Sequence, residues 1–336
     1  MTAQGGLNVY PGNCQLIRQP FKEAAMSELI LHHYPTSPFS EKIRLMLGYK
    51  SLPWKSVVMP AIAPKPDLVA LTGGYRRAPV LQIGADIYCD TALIADVLEH
   101  RQPLPSLYPE PSKGLARTLA QWADHTLFFA AMAYNFQPRG FEQMFGKTPD
   151  LVEAFRNDRK AMSGAMLRLR PADAATACKS YLRRLSDMLD DWPFLMGEAP
   201  CVADFAVYHP LWFTRTHTPV LADILSATPA VSEWMDRMQA IGHGVMEKSS
   251  AAEAIAVAAA CAPAPLHDDR FQDDHGIAPG SRVTVAAESF GLEPTEGELI
   301  AATRMHFTLR RIDAHAGELH VHFPRIGYVL KAVDAA

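Results

Sequence analysis

Two hydroxyls of the segment Tyr34-Pro-Thr-Ser-Pro-Phe-Ser-Glu-Lys-Ile-Arg44, those of Ser37 and Tyr34, stand where a side chain could do chemistry. Ser37 followed by Pro38 is a helix-start signal, with a hydroxyl at the N-cap and proline at the first helical position. The first turn of a helix leaves backbone N–H groups unpaired, and the positive end of its dipole favours an anion. Ser37 is therefore either a plain N-cap or an N-cap that also faces a bound anion, and the residue alone leaves both readings open. Asp90-Thr91 opens a second helix in the same way, again as cap or as ligand-binding pair.

Other reactive side chains carry less. The five cysteines, Cys14, Cys89, Cys178, Cys201 and Cys261, are scattered and form no CxxC pair, so neither a zinc knuckle nor a disulfide framework is expected. That usage fits a reducing cytosol. Cys89, next to Asp90, reads as a small buried hydrophobe rather than a redox centre. His320 and His322 alternate on a strand and share a face, with His315 nearby. Without a carboxylate in view they read as surface residues, and no metal is expected.

The elements that position these residues follow from periodicity. Leu29 to Leu31 is an apolar run of strand length, and Ile43, Met46 and Leu47 recur at helical spacing behind Pro38. Residues 53–59 are a second strand and 64–71 a short helix or turn. Residues 78–83 and 86–89 form a hairpin around Gly84, and 90–98 a helix. The order βαβαββα is the thioredoxin-like one, a mixed sheet with helices on both faces. Four prolines within 102–111 make a linker, and from Ser112 to about Ala260 the patterns are helical only. A second break at 261–275 precedes five closely spaced alternating segments between Ser281 and Ala332, which suggest a small β-barrel or twisted sheet.

The expected division is thus 1–27, a loose extension in which Met26 could be the natural start; 28–101, thioredoxin-like; 102–111, linker; 112–260, all-helical; 261–275, linker; and 276–336, a small β-domain. Hydrophobic residues make up 49% of the 336, enough for cores of this number and size. A formal net charge of −4 argues against a nucleic-acid partner held by bulk electrostatics. No stretch of 18 apolar residues suggests a membrane span, and the first 25 residues lack a signal-peptide core.

A thioredoxin-like unit, a proline linker and a helical domain together resemble a soluble glutathione S-transferase over about residues 28–260. Ser37-Pro38-Phe39 with Ile43-Arg44 is similar to the serine- or cysteine-bearing classes. Ala78-Pro79-Val80 resembles the family's cis-proline segment, and Asp90-Thr91 its acidic-hydroxyl pair. The run from Phe194 to Asp204 resembles the folding motif of the helical domain. The departures are Asp-Thr for Glu-Ser or Gln-Ser, Ala78 for valine, Cys201 for Ser or Thr at the capping box, and the added β-domain.

The resemblance implies an enzyme that binds glutathione as co-substrate and activates its thiol against a small apolar electrophile. A free thiol has a pKa of roughly 8.5, and lowering it by about two units takes about 2.7 kcal/mol. One hydroxyl hydrogen bond to a charged acceptor supplies roughly 1.5–3 kcal/mol, so Ser37 with the helix N-terminus suffices in principle. Tyr34 is the second choice. The resemblance also implies that Pro79 is cis, that the Ala78 backbone pairs with the cysteinyl residue, and that Asp90 and Thr91 hold the γ-glutamyl end. Trp122, His125, Phe128 and Phe129 read as core rather than ligand wall, and Arg117 as a solvated side chain. A cytoplasmic homodimer is expected, with detoxification as its role. A binding or scaffold protein that keeps the fold without the chemistry is the alternative.

Overall fold

The computed structural model describes residues 28–333 apart from 165, 167–168, 267–269 and 273. The extension expected over residues 1–27 lies outside the described residues. Strand β1 (Ile30–His33) is buried along its whole length and pairs parallel with β2 (Trp54–Val58) and antiparallel with β3 (Val80–Ile83). A turn at Gly84, φ +59°, folds β3 back onto β4 (Asp86–Cys89). Helices α1 (Pro38–Tyr49), α2 (Pro66–Thr72) and α3 (Thr91–Arg101) complete the thioredoxin-like unit in the expected order. Ile43, Met46 and Leu47 of α1 are fully buried, as their spacing requires.

The helical domain runs α4 (Lys113–Trp122), α5 (Phe128–Asn135), α6 (Pro138–Phe145), α7 (Pro149–Ser163), α8 (Pro171–Met188), α9 (Val202–His217) and α10 (Pro229–Ala240). A π-helical turn, Ala123–Leu127, joins α4 to α5. At α9 the carboxylate half of the capping box is made. Asp204, fully buried, accepts from the backbone N–H of Cys201 and Leu195 and from Trp234 Nε1, each at 2.9 Å. Asp204 is thus a peg for the whole domain, and Cys201 at the cap does not prevent it.

The chain leaves the helical domain earlier than its helix pattern suggests. Strand β5 (Met246–Ser249) returns to the sheet and pairs parallel with β2, and α11 (Ala251–Ala260) packs on the sheet beside α2. Gly48 in α1 permits this return. A Cβ there would lie 2.1 Å from the carbonyl oxygen of Gly242.

The C-terminal strands are β6 (Arg282–Ala287), β7 (Thr295–Ala302), β8 (His306–Asp313), β9 (Gly317–Pro324) and β10 (Tyr328–Ala332). They do not form a separate barrel. β9 pairs parallel with β4, so both groups belong to one ten-stranded sheet, ordered β10-β6-β7-β8-β9-β4-β3-β1-β2-β5. Without β9, strand β4 would present an open edge, and β9 covers it. The two histidines of β9 serve this seam: His322 Nε2 lies 2.9 Å and His320 Nδ1 3.7 Å from Asp86 Oδ1 on β4. The two main cores lie on opposite faces of the sheet, neighbouring residues Val80 and Leu81 of β3 belonging to different ones. One joins α1 and α3 to α9 and α10 through residues such as Met46, Phe205 and Trp234. The other joins α2 and α11 to the C-terminal strands through Leu71, Ala258 and Leu309. Each fully buried leucine-sized side chain contributes roughly 1.5–3 kcal/mol.

A polar chain ties α1 to β1 and β2. Arg44 donates to Glu41 at 2.7 Å and to His33 Nδ1 at 3.0 Å, so the other ring nitrogen of His33 donates to Ser56 Oγ at 2.8 Å. Burial and the Arg44 charge pull the His33 pKa from 6.5 to about 4. A base held below its unfolded pKa contributes stability that is complete above pH 6.5 and is lost as pH falls through about 4. The full difference is about 3 kcal/mol. We predict that His33→Gln flattens the stability profile between those limits by about that amount, measured by urea unfolding at stepped pH. An unchanged profile would mean that His33 is not the titrating group.

Candidate functional site

The sequence places helix N-termini at Ser37 and Asp90, and the fold turns both toward one cleft of about 1090 Å³. Its walls come from the strand-to-helix loops of the thioredoxin-like unit, from helices α4, α5 and α7, and from the turns β6–β7 and β9–β10. Tyr34, Ser37, Ala78, Pro79, Asp90 and Thr91 all line it. Every site residue expected from the sequence is therefore brought to the same cavity.

Ser37 is the N-cap of α1. Its Oγ accepts from Ser40 N at 3.1 Å, and the residue is only 2% exposed. Capping uses a lone pair and leaves the O–H proton available for donation. Tyr34, at the end of β1, takes the Arg159 guanidinium on its phenol oxygen at 3.3 Å and lies beneath the Lys65 ammonium, 5.5 Å from the ring centre. The Ala78–Pro79 peptide bond is cis.

Asp90 caps α3 by accepting from Ala92 N at 2.9 Å, and does so at φ +78°, a backbone region that non-glycine residues seldom occupy. Its second oxygen accepts from the Tyr328 phenol at 3.0 Å, and the Arg77 guanidinium lies 3.8 Å away. The Thr91 oxygen accepts from Lys42 Nζ at 3.1 Å, which leaves the Thr91 O–H free to donate into the cleft.

Lys42 is buried on α1 and reaches Asp124 of the π-helical turn at 2.6 Å, and Asp124 also meets His209 of α9 at 3.0 Å. Burial pushes the Asp124 carboxyl up, but Lys42 and His209 outweigh it and hold it below the usual range. Burial lowers His209 despite its carboxylate neighbour. This buried ion pair joins the two domains directly under Thr91. Breaking one side of such a pair costs about 3–5 kcal/mol. We predict a loss of that size for Lys42→Met in chemical denaturation; a change below about 1 kcal/mol would show that the pair does not hold the domains.

Lys65, at the start of α2, is 6% exposed and has no carboxylate within 4 Å among the described residues. Its ammonium donates to the Arg76 carbonyl at 3.0 Å. Burial and the Arg159 charge pull it down to about 8. It is the cation best placed to receive an anionic group entering the cleft. Arg117, expected to be solvated, pairs with Asp96 at 2.7 Å and lies 3.8 Å from the centre of the Tyr108 ring.

The aromatic residues of α4 and α5 divide. Trp122 packs edge-on against Tyr181 in the core, whereas His125, Phe128 and Phe129 line the cleft. Phe39, directly after Ser37-Pro38, packs against Phe128 with the rings tilted and their centres 4.6 Å apart. The cleft thus has a polar floor at two helix starts and an apolar wall opposite. Cys89 is fully buried and burial raises its thiol well above the ordinary range, which leaves it unreactive. Lys42, Lys65, Arg77 and Tyr328 are additions to the sequence-derived set. Lys42 had no local signal, and Tyr328 lies 238 residues from its partner Asp90.

Residues 31–106 match the family model for the glutathione S-transferase N-terminal domain and residues 115–237 that for the C-terminal domain. A GST-like protein from Pseudomonas syringae is 44% identical, covering 92% of this chain and 100% of that one, with a TM-score of 0.75. FtsZ-localized protein A from Caulobacter vibrioides is 24% identical over 185 residues, 53% of this chain and 74% of that protein. A glutathione S-transferase from Rhodospirillum rubrum is 19% identical over 63% of this chain and 87% of that one, with a TM-score of 0.47. The chain belongs to the glutathione S-transferase family. Among the described residues, no helix is long and apolar enough to cross a membrane.

Proposed function

We propose that the chain binds glutathione in this cleft and lowers the pKa of its thiol for attack on a small apolar electrophile. The observation that carries the reading is that two helix N-termini and a buried cation with no ion-pair partner among the described residues, Lys65, open into one cavity with an aromatic wall. In this reading the Ser37 O–H donates to the thiolate while its oxygen keeps its capping bond. Ala78, ahead of Pro79, offers its backbone to the cysteinyl residue as an added strand would. The start of α3, with Thr91 and Asp90, takes the γ-glutamyl end, and Lys65 takes the glycyl carboxylate. The electrophile lies against Phe39, Phe128 and Phe129. Tyr34, held between Arg159 and Lys65, is the alternative hydroxyl. A cytoplasmic homodimer acting in detoxification belongs to the same proposal.

A second reading, a binding or scaffold protein without transferase chemistry, is favoured by the burial of Ser37 and its engagement as a cap. The similarity to a protein named for its localisation to FtsZ agrees with that possibility. Titration calorimetry with glutathione and thiol-transfer rates over a panel of electrophiles separate the two. The transferase reading predicts binding at millimolar ligand or below, a loss of 10-fold to 100-fold in kcat/KM for Ser37→Ala, and a loss below threefold for Tyr34→Phe. Reversed losses would move the chemistry to Tyr34. Binding without turnover, or no binding, favours the scaffold.

A further inference from the structure

The C-terminal strands contribute to the cleft as well as to the sheet. The turn before β10 puts Tyr328 against Asp90, the residue that the proposed function assigns to the γ-glutamyl end. The Tyr328 hydroxyl donates to Asp90 Oδ2 at 3.0 Å and lies 3.5 Å from the Tyr75 hydroxyl. The Arg77 guanidinium sits over both phenol rings, 5.4 Å from the Tyr328 centroid and 5.8 Å from that of Tyr75. The same guanidinium is 3.8 Å from the Asp90 carboxylate. The β6–β7 turn holds it there. Gly291, at φ +68°, lies so close that a Cβ would come within 3.1 Å of Arg77 Cγ and Nε, and the Gly291 N–H donates to the Met162 carbonyl at 2.8 Å.

An aspartate that is to read the α-ammonium of a γ-glutamyl group must present an uncompensated negative charge. Here Asp90 already has a cation beside it, a phenol on one oxygen and the Ala92 N–H on the other. An incoming ammonium would share this carboxylate with Arg77, a like charge at short range, in a partly desolvated corner where such repulsion is poorly screened. The α-carboxylate of the same group meets the opposite situation. Thr91, oriented by Lys42, the α3 N-terminus and the Arg77 charge all favour it.

We propose that Arg77, clamped by the C-terminal strands, takes the place of the ligand's α-ammonium at Asp90, so that the cleft selects thiol peptides by their terminal carboxylate and not by a free α-amino group. The ligand class is then wider than glutathione. It includes cysteinyl peptides whose amino end carries a dicarboxylic acyl group without an amine. Arg77 and Tyr328 are specificity-determining residues in this scheme and take no part in the chemistry at sulfur. The inference rests on the reading of the cleft as a glutathione site.

The test is titration calorimetry of the intact protein with glutathione and with glutaryl-cysteinyl-glycine, which lacks only the α-amino group. Dissociation constants within threefold of each other are expected. Glutathione binding tenfold or more tightly than the analogue would overturn the inference while leaving the glutathione reading standing. Binding of neither would overturn both. Arg77→Gln and Tyr328→Phe supply the second readout: each should raise the preference for glutathione over the analogue, Arg77→Gln by about tenfold. A ratio unmoved in both variants would also overturn it, because a purely structural role would change the two affinities together.

Discussion

The unpaired amides at the start of α1 must meet an acceptor, and most of the molecule can be understood as holding them at the floor of the cleft. Ser37 satisfies the N–H of Ser40. Further along the same helix, Arg44 ties α1 to β1 through His33, and Lys42 ties it to the helical domain through Asp124. Ile43, Met46 and Leu47 supply the apolar face. Gly48 allows the chain leaving the helical domain to pass within touching distance, so that β5 can close one edge of the sheet. Successive turns of one helix thus contact the sheet, the second domain and the returning chain, and its orientation is over-determined. Such over-determination is what a preorganised electrostatic site needs.

The parallel pairing of β4 and β9 has a comparable influence at the other end of the cleft. It fuses the C-terminal strands to the thioredoxin-like unit and fixes where their turns fall. One turn reaches Met162 of the helical domain, and another reaches Asp90. A two-domain cleft thereby gains a third wall, built from a region outside the two family-model matches.

What the sequence made legible was local. Ser37-Pro38 and Asp90 act as the caps their types predict, because a capping bond needs only three or four consecutive residues. The alternating patterns of the C-terminal strands survive into the fold, and the apolar spacing of Ile43, Met46 and Leu47 does too, although α1 is buried on nearly all sides. The sequence-opaque features are those made by distant pairs. Lys42 reads locally as a solvated charge, because the carboxylate that allows its burial, Asp124, lies 82 residues away. His320 and His322 lacked a visible carboxylate because Asp86 comes from another strand. β5, Met-Glu-Lys-Ser, has no strand signature and is a strand only because β2 offers it an edge. Phe128 and Phe129 have the spacing of core residues. Whether such a face is core or cleft wall is decided by how two domains meet, which periodicity does not encode.

The central claim is that the α1 start, with Ser37, stabilises a thiolate in the cleft. The most direct measurement is the thiol pKa of protein-bound glutathione, followed by the ultraviolet absorbance of the thiolate as pH is raised, in the wild type and in Ser37→Ala. The account predicts a bound thiol about two units below the free value of roughly 8.5, and a return most of the way to that value in the variant. A bound thiol that titrates near 8.5 in the wild type, or a lowered value that Ser37→Ala leaves in place, would contradict it.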